Sequence, residues 1–251
     1  MKRWLLSCGF VIFALWLGLP SACAGGGSAK PDLPARYKEL SPLAEDYLQS
    51  PKRNVAKCDK PDEAILAPKA LVMLWKLFGK PKASNKVLPF SAGLSAEENE
   101  ALRWAGEELL KAIGYEPEKP EAKEKFRKNF PKMKLYNKDV VSLFYKLEWR
   151  RIGKAPQLPA ETKSQSKSQK IAPYTDVDRG APFANAVRWA GGKSLNLISG
   201  VLDETTKKAV HFNPEQEKIG KGICTRGQFF VLLYLYAQSL EIFGKSQQKA
   251  A

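Results

Sequence analysis

One ordered set of residues is written more than once along this chain, and that constrains its fold more than any single motif does. The clearest copy runs Tyr174-Thr175-Asp176-Val177, Ala186-Val187-Arg188-Trp189-Ala190 and Phe212-Asn213-Pro214. It closes with Cys224-Thr225-Arg226-Gly227-Gln228, leading into Phe229-Phe230-Val231-Leu232-Leu233-Tyr234. The same order recurs upstream as Pro89-Phe90-Ser91, Ala101-Leu102-Arg103-Trp104-Ala105, Phe130-Pro131 and a run from Asn137 to Tyr145. The shared Arg-Trp-Ala is the anchor. A third, eroded copy ends in the apolar run Ala70 to Phe78, closed by Gly79 and Pro81, and its opening half within residues 35–65 aligns only loosely.

Each copy predicts helix, loop, helix. Phe183, Ala186, Val187 and Ala190 fall on one helical face, and Gly191-Gly192 ends that helix. Thr225-x-x-Gln228 has the form of a capping box, so the closing helix is predicted to begin near Thr225. Beyond it, Phe229, Phe230, Leu232, Leu233 and Tyr236 are apolar nearly all round, the mark of a helix buried on most sides. Equivalent runs are Leu71 to Phe78 and Val140 to Leu147, with Pro68 or Asn137 as start signals. Three such helices hide their apolar faces only against one another, which predicts an all-α fold with a central bundle of closing helices.

The organisation that follows is a signal peptide over 1–24, a flexible segment over 25–34 and repeats over 35–81, 88–149 and 173–240. A Ser/Gln/Lys/Pro-rich linker covers 156–172, a charged insertion Glu116–Lys128 lies inside repeat two, and 241–251 is a polar tail. The leader reads as Met1-Lys2-Arg3, an apolar run from Trp4 to Leu19, and small residues up to Ala24, so the protein is expected to be exported. Two cleavages fit. One after Ala24 removes Lys2 and Arg3 and lowers the net charge from +15 to +13; one before Cys23 leaves a lipid-anchored protein, the only form expected to touch a membrane. Cleavage after Ala24 also leaves Cys58 and Cys224 as a pair in a compartment that permits disulfides, either bonded or as two buried free thiols.

In the copy over 173–240, Tyr-x-Asp-Val, a Trp-Ala helix, a Gly before a loop, Phe-x-Pro and Thr-Arg-x-Gln opening an apolar helix resemble the S-layer homology (SLH) domain. The resemblance covers residues 173–240 well, 88–149 by spacing and apolar pattern, and the stretch before Pro81 weakly. It implies a pseudo-threefold helical unit that holds exported proteins on the cell envelope. The implied ligands are anionic cell-wall polysaccharides, often pyruvylated, or modified peptidoglycan. It points to Arg226 as a bidentate grip on an anion, in the first turn of a helix whose free N–H groups add to the attraction. It points to Trp189 as a flat partner for a sugar ring, Asp176 as an acceptor or an orienter of Arg226, and Gly200 as a close-approach position. Each has a plainer reading: Arg226 a solvated first-turn residue, Trp189 and Trp104 core, Asp176 an N-cap or turn residue. Arg226 corresponds to Asn137 and Ala67 in the other copies, and Asp176 to Ala92, so at most one anion site of this kind is expected. Lys132, Lys134 and Lys138 offer diffuse attraction instead.

Other chemistries find little support. His211 is the only histidine, which rules out two-histidine metal sites, and no cofactor is expected. Gly191-Gly192-Lys193-Ser194 lacks the phosphate-loop glycine six positions before the lysine, where Val187 stands. Glu97-Glu98 and Glu107-Glu108 point about 100° apart on a helix and are expected to be solvated. Lysines spread from end to end without interleaved aromatics argue against nucleic acid. The expected function is therefore non-catalytic binding of an anionic envelope glycan, with an adaptor that contacts other envelope proteins through its degenerate copies as the alternative.

Overall fold

A computed structural model describes residues 33–51, 53–55, 57–83, 93–160, 174, 177–191, 201–202, 210–211 and 222–249. The leader with Cys23, most of the 156–172 linker, Asp176, Gly200 and Phe212-Asn213-Pro214 lie outside the described residues. The helices are α1 (Leu33–Leu48), α2 (Ala67–Leu77), α3 (Ala96–Lys111), α4 (Pro120–Asn129), α5 (Asn137–Ile152), α6 (Ala184–Ala190) and α7 (Arg226–Lys249). A 3-10 turn, Phe130–Lys132, follows α4, so the charged insertion is itself largely helical. The chain is helical, as the apolar periods predict; β1 (Val201–Leu202) paired antiparallel with β2 (Val210–His211) is the only sheet among the described residues.

Three short extended segments, each just before a helix, meet in a closed ring. Ile65 N–H donates to the Cys224 carbonyl at 3.0 Å, Cys224 N–H to that of Leu135 at 2.9 Å, and Leu135 N–H to that of Ile65 at 3.1 Å. Ile65, Leu135 and Cys224 are all buried, where an unpaired amide would be costly. Closing the ring leaves none of these donors or acceptors over. A second circuit satisfies the first amide of each following helix: Ala67 N–H reaches Met133 O at 2.8 Å, Asn137 N–H reaches Gly222 O at 2.7 Å, and Arg226 N–H reaches Glu63 O at 2.7 Å. The two circuits give Ala67, Asn137 and Arg226 the same place around the ring.

From the ring, α2, α5 and α7 run into a shared aromatic core. Phe144 of α5 lies 5.8 Å from Phe229 and 5.0 Å from Tyr236 of α7, and Phe78, just beyond α2, lies 6.4 Å from Tyr236. Burying each such side chain is worth about 1.5–3 kcal/mol. The outer helices follow one rule, each packing on the inner helix that precedes it around the ring: α3 on α2, α6 on α5 and, closing the cycle, α1 on α7. The helix starts are partly those the residues predict. Thr225 Oγ1 accepts from Gln228 N–H at 3.2 Å and Gln228 Oε1 from Thr225 N–H at 2.9 Å, a complete capping box. Asn137, by contrast, is the first helical residue of α5 rather than its cap; there the Asp139 carboxylate accepts from Tyr136 N–H at 2.9 Å. A second complete box, Ser95 with Glu98, starts α3.

Candidate functional site

Arg226 stands at the ring, on the first turn of α7, with its side chain 29% exposed. Its guanidinium lies 3.6 Å from the carboxylate of Glu63, which is 55% exposed and also bound by Lys60 at 3.0 Å. The helix start does not offer the free N–H groups expected of it. Arg226 and Gly227 N–H donate to the carbonyls of Glu63 and Pro61, Gln228 N–H to Thr225 Oγ1, and Phe229 N–H to Thr225 O. The ring uses up the donors that a ligand anion would need, so any grip here belongs to the guanidinium alone.

Beside it, Cys58 is half-buried. Burial pushes its thiol up, Arg226 opposes that, and Glu45 and Asp59 add to it. Cys224, in the ring itself, is fully buried, and burial with the nearby Asp139 raises its thiol far above the ordinary range. Both cysteines are free thiols in this structure, so no Cys58–Cys224 disulfide is present. A buried thiol held protonated behaves as a small apolar side chain.

Trp189 is in the core, 4% exposed, with the rings of Tyr145 at 5.7 Å and Tyr236 at 6.3 Å packed edge-on against it. That placement corrects its assignment as a sugar platform: a ring enclosed by two tyrosines leaves no face for a ligand. Trp104 is likewise buried, against Phe78. Asp176, Gly200 and Cys23 lie outside the described residues.

Several polar residues that matter were not singled out in the sequence. Gly106 interrupts α3 with φ 64° and ψ −179°, and the Arg150 guanidinium fills the break, donating to the carbonyls of Trp104 at 2.9 Å and Ala105 at 3.3 Å. Glu148 is buried and accepts from Arg151 at 2.8 and 2.6 Å and from the Tyr236 hydroxyl at 3.1 Å. Burial and Glu148 raise the Tyr236 phenol far above its usual range, so it stays a donor at every ordinary pH. Glu97 and Glu98 are not simply solvated: they pair with Lys76 at 2.8 Å and Lys69 at 3.1 Å of α2. Burial alone would raise the Glu98 carboxyl, but hydrogen bonds from Ser95 and the Lys69 ammonium hold it below the usual carboxylate range. Glu107 and Glu108 are exposed, as expected.

Among the described residues, no group of three His, Cys, Asp or Glu side chains is placed to hold a metal, and no helix is long and apolar enough to cross a membrane. No family model, curated protein or solved structure compared with this chain matches it.

Proposed function

We propose that the chain is an exported, non-catalytic SLH-type module that binds an anionic glycan of the cell envelope, with Arg226 as its anion contact. The observation that carries this reading is the closed hydrogen-bond ring, which relates residues 65, 135 and 224 one to another as a threefold repeat would. The outer helices supply a second support. Tyr47 near the end of α1 packs on Tyr234 at 5.4 Å, and Trp189 near the end of α6 packs on Tyr145 at 5.7 Å. Tyr234 and Tyr145 each stand eight residues past a ring-related helix start, Arg226 and Asn137, so the two contacts correspond. Ala44-x-x-Tyr47-Leu48 then reads as the eroded counterpart of Ala186-x-x-Trp189-Ala190, completing the opening half of the first repeat.

At the Arg226 position, Glu63 occupies the guanidinium only loosely, at 3.6 Å and largely in water. A ketal-pyruvate or phosphate on a polysaccharide would displace it and take two parallel N–H bonds, while Lys60 retains Glu63. Co-sedimentation of the mature protein with purified cell-wall sacculi tests this. Arg226→Ala is expected to weaken binding by about 1.5–3 kcal/mol, the scale for a hydrogen bond to a charged group. Glu63→Gln is expected to tighten it. Sedimentation that ignores both changes would remove Arg226 from the site and favour the adaptor role.

A further inference from the structure

We infer that the outward face of α4 and its 3-10 turn, carrying Lys125, Lys128 and Lys132 and continued by Lys134, is a docking surface for a linear polyanionic glycan. On one helical path, positions 125, 128 and 132 fall on the same side. Phe126 and Phe130 take the other side, buried and stacked on each other at 5.5 Å, with Tyr115 against Phe126 at 5.3 Å. That aromatic row fixes which face of the insertion meets water. Lys134 follows in the extended ring segment, where its neighbour Leu135 points inward, so alternation turns Lys134 out.

Apart from Glu121 and the half-buried Lys123, the rest of the insertion's charge is paired within the insertion or with Lys111. Lys119 pairs with Glu116, Lys111 with Glu118 and Arg127 with Glu124. Lys125, Lys128, Lys132 and Lys134 are exposed, and among the described residues none of their ammonium groups forms an ion pair or hydrogen bond. Glu121, one turn before Lys125, pairs with none of them. From Lys125 to Lys132 the path is about 10 Å, at 1.5 Å per residue, so several unneutralised ammonium groups repel one another until a polyanion lies along them. Mobile ammonium groups suit carboxylates or phosphates whose spacing varies, where a rigid guanidinium fork would demand one geometry. With both phenylalanines buried, the face offers no stacking platform for bases, which favours an acidic glycan over single-stranded nucleic acid.

The identity of the partner rests on the envelope-glycan reading; the surface itself does not. Titration of the full mature chain with polygalacturonate, a linear polymer of acidic sugars, tests it. Lys125→Gln/Lys128→Gln/Lys132→Gln is expected to lose about tenfold in affinity, the sum of three exposed charge contacts. A control with the same charge change spread elsewhere, Lys57→Gln/Lys82→Gln/Lys154→Gln, is expected to lose about threefold or less. Matching thermal melts would show that both variants fold. Equal losses would reduce the row to net charge and overturn the proposal. So would tighter binding of an equally charged single-stranded DNA that depends on the same three lysines. If polygalacturonate binding depends on the row while wild-type protein ignores cell walls, the envelope reading fails and the surface stands. If walls bind Arg226-dependently and the row is silent in both assays, the surface fails alone.

Discussion

Two arginine–glutamate pairs in this protein share a chemistry and differ in what surrounds them. Arg151 grips Glu148 through two short bonds, with the carboxylate 9% exposed and Tyr236 donating from the other side. Arg226 meets Glu63 at 3.6 Å with the carboxylate more than half in water. In the first pair a removed partner strands a buried group; in the second, water takes over. Burial therefore separates a pair that holds the fold from one that contributes little to it and that the proposed function makes exchangeable for a ligand.

The largest effect expected from breaking this contrast is at Glu148. Glu148→Ala should cost about 3 kcal/mol in urea unfolding, because the Tyr236 hydroxyl loses its acceptor in the core. Arg151 is one-third exposed and keeps its hydration, which limits the loss. Gly106→Ala comes next, at about 2 kcal/mol: φ 64° with ψ −179° is a backbone region that essentially only glycine occupies. Thr225→Ala should cost about 1 kcal/mol by opening the capping box of α7, and Gln228→Ala should add little once the threonine is gone. Arg226→Ala should change unfolding free energy by no more than about 0.5 kcal/mol, while the proposed wall binding is expected to fall. A loss at Arg226 equal to that at Glu148 would mean that the two pairs are alike, and the exchangeable site would be lost with the contrast.

Much of the scaffold is legible in the sequence. The apolar periods after Thr225, Asn137 and Pro68 mark helices that the structure contains, and Thr225-x-x-Gln228 states its own cap. These signals are local: a period of 3.6 and a four-residue cap need no knowledge of distant residues. Asn137 shows the limit of such reading. It looks like a cap in sequence, but the ring already satisfies its amide through Gly222, so the chain starts the helix one residue earlier in the capping pattern, at Tyr136 with Asp139. Arg150 shows the same limit in a long-range contact. Its role depends on a break in α3 more than forty residues earlier, which no local pattern around Arg150 records.

The candidate site divides in the same way. That Arg226 opens an apolar helix is written in the residues around it; that its backbone N–H is already used, and that Glu63 stands beside it, follows from segments over 150 residues apart meeting in the ring. Trp189 admits a sugar-platform reading beside the more usual core reading until Tyr145 and Tyr236 are seen against it. By itself the sequence determined where helices form and which faces are apolar, because those preferences act over a few neighbouring residues. Only the tertiary structure decided which carbonyl takes each amide, which charge pair is buried and which stands in water, and which aromatic is enclosed, because each depends on a partner that the chain brings in from elsewhere.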